Sequence, residues 1–211
     1  MDAALTELEL DALRELMNTG VGKSARSLSE LLGRPVVLSV PFVGALDGPG
    51  AGEFFSREFK REASYASAAQ DFSGPLAGRG LFVLSNDECS SIASLIGLAP
   101  EMTEGVVVDL VEELCNLVLV SCVGFIAGAL GGKAQFSSPN FTGRWEAGDF
   151  DCASFTTVGS EDAPRLGLRT SFRFKDSEAD GHLLLAISGR SGSWLRAGLA
   201  SYIEGLLCST T

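Results

Sequence analysis

Two long stretches of the chain place apolar residues at helical spacing, and shorter apolar runs fill the space after each. In the first stretch Leu10, Leu13, Leu16, Met17, Val21, Leu28 and Leu31 gather on one side of a helix. Thr6 can cap it, and Glu9 three residues on completes a capping box. The helix should run to about Leu32 and stop at Gly33 and Pro35. Gly20 and Gly22 inside it each cost about 1 kcal/mol relative to Ala, which suggests close packing or access for a partner. Val36–Phe42 then reads as a strand and Asp47–Gly52 as a turn or flexible loop. Phe54–Phe59 and Ala63–Phe72 are weaker strand candidates. Gly80–Ser85, entered through a turn at Gly74 and Pro75, is a stronger one. A short helix capped by Asp87 runs through Ile96 and closes at Gly97.

The second stretch repeats the order. Val108, Val111, Leu114, Cys115 and Cys122 share one side of a helix from about Glu104 to Leu130, which ends at Gly131 and Gly132. A strand at Lys133–Ser138 follows, then a polar stretch, then a strand at Leu166–Phe174. Asp176–Gly181 turns the chain into His182–Ile187, and a helix from Ser193 to Leu207 completes it. Each half is therefore helix, strands, hairpin, helix. The length of the two hydrophobic helices predicts that the halves share one core. The expected organisation is a single α/β unit over 1–211 with internal repeats at approximately 1–100 and 101–211.

The polar sides of the long helices repeat more strictly than their cores. Asp11, Glu15 and Asn18 fall within roughly 60° of one another and are followed after twenty-two residues by Pro41. Asp109, Glu113 and Asn116 do the same, followed after twenty-two residues by Pro139. A Glu and an Asn three residues apart are ordinarily just a solvated face. Four fixed positions recurring 98 residues apart are not explained that way, and they define two equivalent polar sites.

Composition narrows the chemistry. A net charge of -11 argues against binding a phosphate backbone, which needs patches of Lys and Arg. Cys89, Cys115, Cys122, Cys152 and Cys208 form no C-x-x-C pair and read as reduced, mostly buried thiols of a cytoplasmic protein. Asp2, Glu7 and Glu9 sit where a signal peptide would be basic, so none is expected. The apolar run Leu114–Leu130 is interrupted by Asn116 and Ser121, so no membrane insertion is expected either.

Other candidates are weak. Gly20–Ser24 invites comparison with a phosphate-binding loop, but that motif needs Gly where Met17 stands, and no strand precedes it. His182 is the only histidine and has no partners for a metal or a triad, so a structural role in its strand is favoured. Trp145 and Trp194 read as packing residues. Glu112 lies about 100° around the helix from Glu113 and is a poor second carboxylate for acid–base work.

In its two motifs the chain resembles the CheC/CheX/FliY family of bacterial and archaeal chemotaxis phosphatases, in the two-site form. The family signature is Asp or Ser, then Glu, Asn and a distant Pro at these spacings. The resemblance implies an internally duplicated CheC-like fold, a mostly antiparallel sheet flanked by long helices with pseudo-twofold symmetry. It implies dephosphorylation of the phosphoaspartate of a CheY-type response regulator. Glu15 and Glu113 would pair with a lysine of that partner. Asn18 and Asn116 would orient the attacking water, with Asp11, Pro41, Asp109 and Pro139 supporting the motif. The chemistry suits these residues, because in-line phosphoryl transfer depends on positioning and a carboxamide orients water without titrating. No cofactor of its own is implied, since Mg2+ would come with the regulator. The resemblance also implies association with the CheD receptor deamidase. A non-catalytic module of the flagellar switch is the alternative, against which the intact Glu and Asn of both motifs argue.

Overall fold

A computed structural model describes residues 5–46, 50–57, 59, 63–96, 103–156, 164–174 and 180–208. In the first half, α1 (Glu7–Leu32) leads into two short strands, β1 (Val36–Leu38) and β2 (Phe42–Ala45), and a short helix, α2 (Gly50–Ser56). The long strands β3 (Ser64–Ser73) and β4 (Gly78–Ser85) follow, then α3 (Asn86–Leu95). The second half runs in the same order: α4 (Glu104–Ala129), β5 (Gln135–Phe136), β6 (Asn140–Glu146), α5 (Cys152–Thr156), β7 (Pro164–Phe174), β8 (Asp180–Ser188) and α6 (Gly192–Cys208).

The eight strands among the described residues form one antiparallel sheet. Its path is β1-β7-β8-β4-β3-β5, with β2 also on β7 and β6 also on β3. The middle pair, β4 and β8, joins the halves with Leu81 opposite Leu184. Outside it, each half's long strand is flanked by the other half's short strands. Phe42 of β2 faces Arg169 of β7, and Tyr65 of β3 faces Trp145 of β6.

The sheet is buried on both faces, which explains the unbroken apolar runs of its two central strands. On one face Phe82, Leu84, Leu183, Leu185 and Ile187 pack with Leu13, Leu16 and Met17 of α1 and Leu114, Val118 and Cys122 of α4. On the other, Leu81, Val83, Leu184 and Ala186 pack with Phe55, Phe59, Tyr65 and Phe155. Trp145 and His182 belong to that second core. The Trp145 ring lies 4.8 Å from Phe59 and the His182 ring 5.2 Å from it, so both are packing residues. Trp194 packs against the first core beside Gly132. Among the described residues no helix is long and apolar enough to cross a membrane.

The long helices start and stop where their sequences direct. Thr6 accepts from the Glu9 amide at 3.3 Å and Glu9 answers on the Thr6 amide at 2.7 Å, closing the capping box. Gly33 ends α1 in the left-handed region at φ 63. The two helices cross where Gly20 meets Cys122, since a Cβ on Gly20 would come within 3.0 Å of the Cys122 carbonyl oxygen. One turn on, Ser24 Oγ donates to the Val118 carbonyl at 3.0 Å. Gly20 is therefore a close-packing glycine, while Gly22 is exposed with nothing near it.

Several expectations are corrected. Gly50–Gly52 and Phe54–Ser56 form a helix rather than a loop and a strand, because Phe55 buries its ring edge-on against Phe155 at 5.0 Å. The predicted strand Val36–Phe42 is two strands, broken across Ser39–Pro41, where proline lacks the N–H that a continuous ladder needs. Lys133–Ser138 is extended in the sheet only at Gln135 and Phe136, and the polar stretch after it is the edge strand β6. Ser85, not Asp87, caps α3. Leu31 is half exposed at the last turn of α1 rather than in its core stripe. Residues 47–49, Gly97 and 175–179 lie outside the described residues.

Candidate functional site

Burying one side of α1 and α4 against the sheet turns the other outward. Asp11, Glu15 and Asn18 are all exposed on α1. On α4, Asp109 and Glu113 are exposed and Asn116 is half-buried. The strand breaks carrying the prolines lie beside these faces, with Pro41 buried and Pro139 half-buried. In the second site Asp109, Glu112, Glu113 and Asn116 line an open groove of about 480 Å³ with Phe136, Ser137, Ser138 and Pro139. The structure thus brings Pro139 beside the three helical residues of the second motif.

Each proline-bearing break is latched to the sheet by a serine two residues before it. Ser39 N–H donates to Ser171 O at 2.9 Å, and Ser171 N–H returns a bond to Ser39 Oγ at 2.9 Å. In the other half Ser137 N–H donates to Asp71 O at 3.0 Å, and Asp71 N–H returns to Ser137 Oγ at 3.1 Å. A side chain on the neighbouring strand residue completes each latch. Thr170 Oγ1 donates to Ser39 O at 3.1 Å, and Gln70 Nε2 donates to Ser137 O at 2.7 Å. The two latches share the serine bonds and differ in the side chain that completes them, a hydroxyl in one and an amide in the other.

The two sites differ in three respects. Gln70 is long enough to reach past its latch and donate to Asn116 Oδ1 at 2.9 Å, whereas Thr170 stops at Ser39. Arg14 binds Asp11 at 2.6 Å in the first site, but Glu112 stands at that helical position in the second. Glu112 accepts the Phe141 amide at 2.7 Å and so ties β6 to α4. One cation and two carboxylates therefore surround the first Asn, and three carboxylates the second. The third difference is apolar: one turn beyond Asn116 stands Val120, 41% exposed, where the first site has Gly22.

Sequence reading passed over Gln70, Ser39 and Ser137. The serines carry a signal that could have found them, since each stands two residues before its proline. Gln70 carries none until the two sheet halves are superposed. Among the described residues no group of His, Cys, Asp and Glu is placed to hold a metal ion. The thiols of Cys89, Cys115 and Cys122 are pushed up to about 12 by burial and are not nucleophiles.

Comparison with known proteins agrees with this architecture. Residues 8–44, which hold the first motif from Asp11 through Pro41, match the model of the CheC-like family. A search of curated proteins finds no match. Among solved structures, FliY of Thermotoga maritima superposes with a TM-score of 0.67 at 16% identity, covering 95% of this chain and 100% of that one. The middle domain of FliM from H. pylori gives 0.58 at 9% identity, over 92% of this chain and 99% of that one. CheX in a complex with CheY, BeF3 and Mg2+ from Borrelia burgdorferi gives 0.51 at 15%, over 81% and 96% of the two chains. The first motif helix thus resembles the CheC-like family, and the fold is the one shared by these FliY, FliM and CheX structures.

Proposed function

We propose that this chain is a phosphatase that hydrolyses the phosphoaspartate of a CheY-type response regulator in chemotaxis. The observation that carries the reading is the outward placement of exposed Glu15 and Asn18, and of exposed Glu113 with half-buried Asn116, on helices whose opposite sides are locked in the core. A rigid helix can insert a carboxamide into a partner's active site, where it orients water for in-line attack on phosphorus. The Asn oxygen accepts from that water and needs no titration to do so. The glutamate one turn earlier offers a carboxylate to a lysine of the partner. Mg2+ and the phosphoryl group would both come with the regulator. The CheX–CheY complex of the same fold supports a CheY-type partner.

The test is phosphate release from a phosphorylated regulator. The chain should accelerate it, and Asn18→Ala combined with Asn116→Ala should abolish the acceleration while the circular dichroism spectrum stays unchanged. A double variant with full activity would refute the chemistry. A second reading, a non-catalytic scaffold of the flagellar switch, is favoured by the FliM matches, which cover 92% and 94% of the chain. It predicts binding without release. Association with CheD is compatible with either reading and is read out by co-elution with that protein.

A further inference from the structure

We infer that Gln70, on a strand that carries neither motif, is a positioning residue for Asn116 and makes the second site the faster of two unequal ones. The inference rests on the proposed phosphatase chemistry and concerns only how its amide is held. An Asn side chain on a helix surface rotates freely about its last bond, and rotation exchanges its oxygen and nitrogen. A water-orienting amide works in only one of those settings. Gln70 Nε2 donates to Asn116 Oδ1 at 2.9 Å and thereby fixes the setting. One lone pair of Oδ1 is used, leaving the other and the NH2 group for water and partner. The same Nε2 donates to Ser137 O at 2.7 Å, so the orienting group is itself anchored to the strand break beside Pro139.

Stability alone does not account for a glutamine there. Gln70 is 1% exposed, and its own carbonyl oxygen Oε1 is buried without a hydrogen-bond partner. A buried unsatisfied acceptor is destabilising, and such exceptions call for an explanation. At the equivalent place beside the first site stands Thr170, which closes the same latch with its hydroxyl and leaves no amide behind. Threonine suffices for the fold. Glutamine adds reach, and what it reaches is the amide of the motif. Asn18 has no such bond among the described residues. The two sites of this chain therefore differ in how far their amides are set in advance of docking.

The experiment isolates each site. Asn18→Ala leaves only the second, and in that background Gln70→Met and Gln70→Thr are assayed for phosphate release from a CheY-type regulator phosphorylated by a small acyl phosphate. Expected is a fall in kcat of about tenfold with KM within twofold, because the amide is misoriented more often but the docking surface is intact. The melting temperature should fall by no more than a few degrees, which a purely structural glutamine would not allow. Unchanged kcat, or a rise in KM alone, overturns the inference. Should both Gln70 variants fail to fold, Thr170→Gln in the Asn116→Ala background decides. A severalfold gain in kcat supports the role, and no gain overturns it. A wild-type chain that releases no phosphate removes the phosphatase reading itself. An active wild type with an indifferent Gln70 removes only this step.

Discussion

The two glycines of α1, two residues apart, should respond to the same substitution with opposite sign. Gly22 is exposed and a Cβ there would meet nothing within 4 Å, so Gly22→Ala should gain the helix propensity of Ala. That is about 1 kcal/mol, or about 2–4 °C in melting temperature for a chain of this size. Gly20 is buried, with the Cys122 carbonyl oxygen at 3.0 Å and Phe125 Cδ1 at 3.4 Å from its virtual Cβ. A methyl group there must push a backbone oxygen, and a valine must push the whole of α4. Overpacking of this kind costs about 1–3 kcal/mol, more than the propensity gained, so Gly20→Val should lower the melting temperature by several degrees. Because the crossing also sets the angle between the two polar faces, Gly20→Val should lower phosphate release more than stability alone explains. The assay is thermal unfolding followed by circular dichroism, with release measured well below the transition. A Gly20→Val protein melting at or above the wild type would refute the tight crossing.

Further outcomes follow from the same structure. Glu113→Lys should weaken association with the phosphorylated regulator by roughly tenfold at low salt, with the difference shrinking as salt rises. Glu15→Lys should do less, because Arg14 already offsets the charge of the first site, and equal effects would remove that electrostatic distinction. Iodoacetamide should label the exposed Cys208 in the folded chain and leave Cys89, Cys115 and Cys122 unlabelled until denaturant is added. Burial raises those three thiols from 9.0 to about 12, so between these values only the unfolded chain loses the protons. Stability should therefore fall as pH rises above about 9, by up to about 1.4 kcal/mol per thiol per pH unit. A denaturation midpoint that is flat from pH 8 to 10 would contradict this. Thr6→Ala removes the cap on α1 and should cost about 1 kcal/mol, measured by urea unfolding.

What could be read from the sequence was what local periodicity governs. The long helices have caps, stops and a wide apolar stripe, so their bounds and their outward-facing Asp, Glu and Asn followed from spacing alone. The strands buried on both faces, Leu81–Leu84 and Leu183–Ile187, announced themselves as apolar runs. The misreadings fall where tertiary contacts override local pattern. Asn140–Glu146 is an edge strand whose polar alternation and Gly143 at φ 114 resemble a loop. Gly50–Ser56 is a helix only because Phe55 finds a pocket across the sheet. The four residues of each motif were legible because they repeat. Gln70 was not, because its counterpart is a different residue and its partner is 46 positions away.

The exchange of short strands between the halves has a consequence for how the chain is made. When the first half has been synthesised, β1 and β2 have no strand to pair with, because their ladder partner β7 is still unmade, and β3 has one bare edge. The hydrogen bonds that complete either half connect residues far apart in the chain, such as Phe42 with Arg169 and Ser64 with Glu146. Loops of that length must close before those ladders form, which places the chain among slow folders. An N-terminal fragment ending before α4 would carry unpaired strand edges and an uncovered apolar sheet, the combination that invites aggregation. Two such fragments supplied together have the complementary edges each one lacks. Cutting the chain between α3 and α4 and mixing the pieces is therefore a route to reassembly, and in one cell the same edges would let two intact copies trade halves.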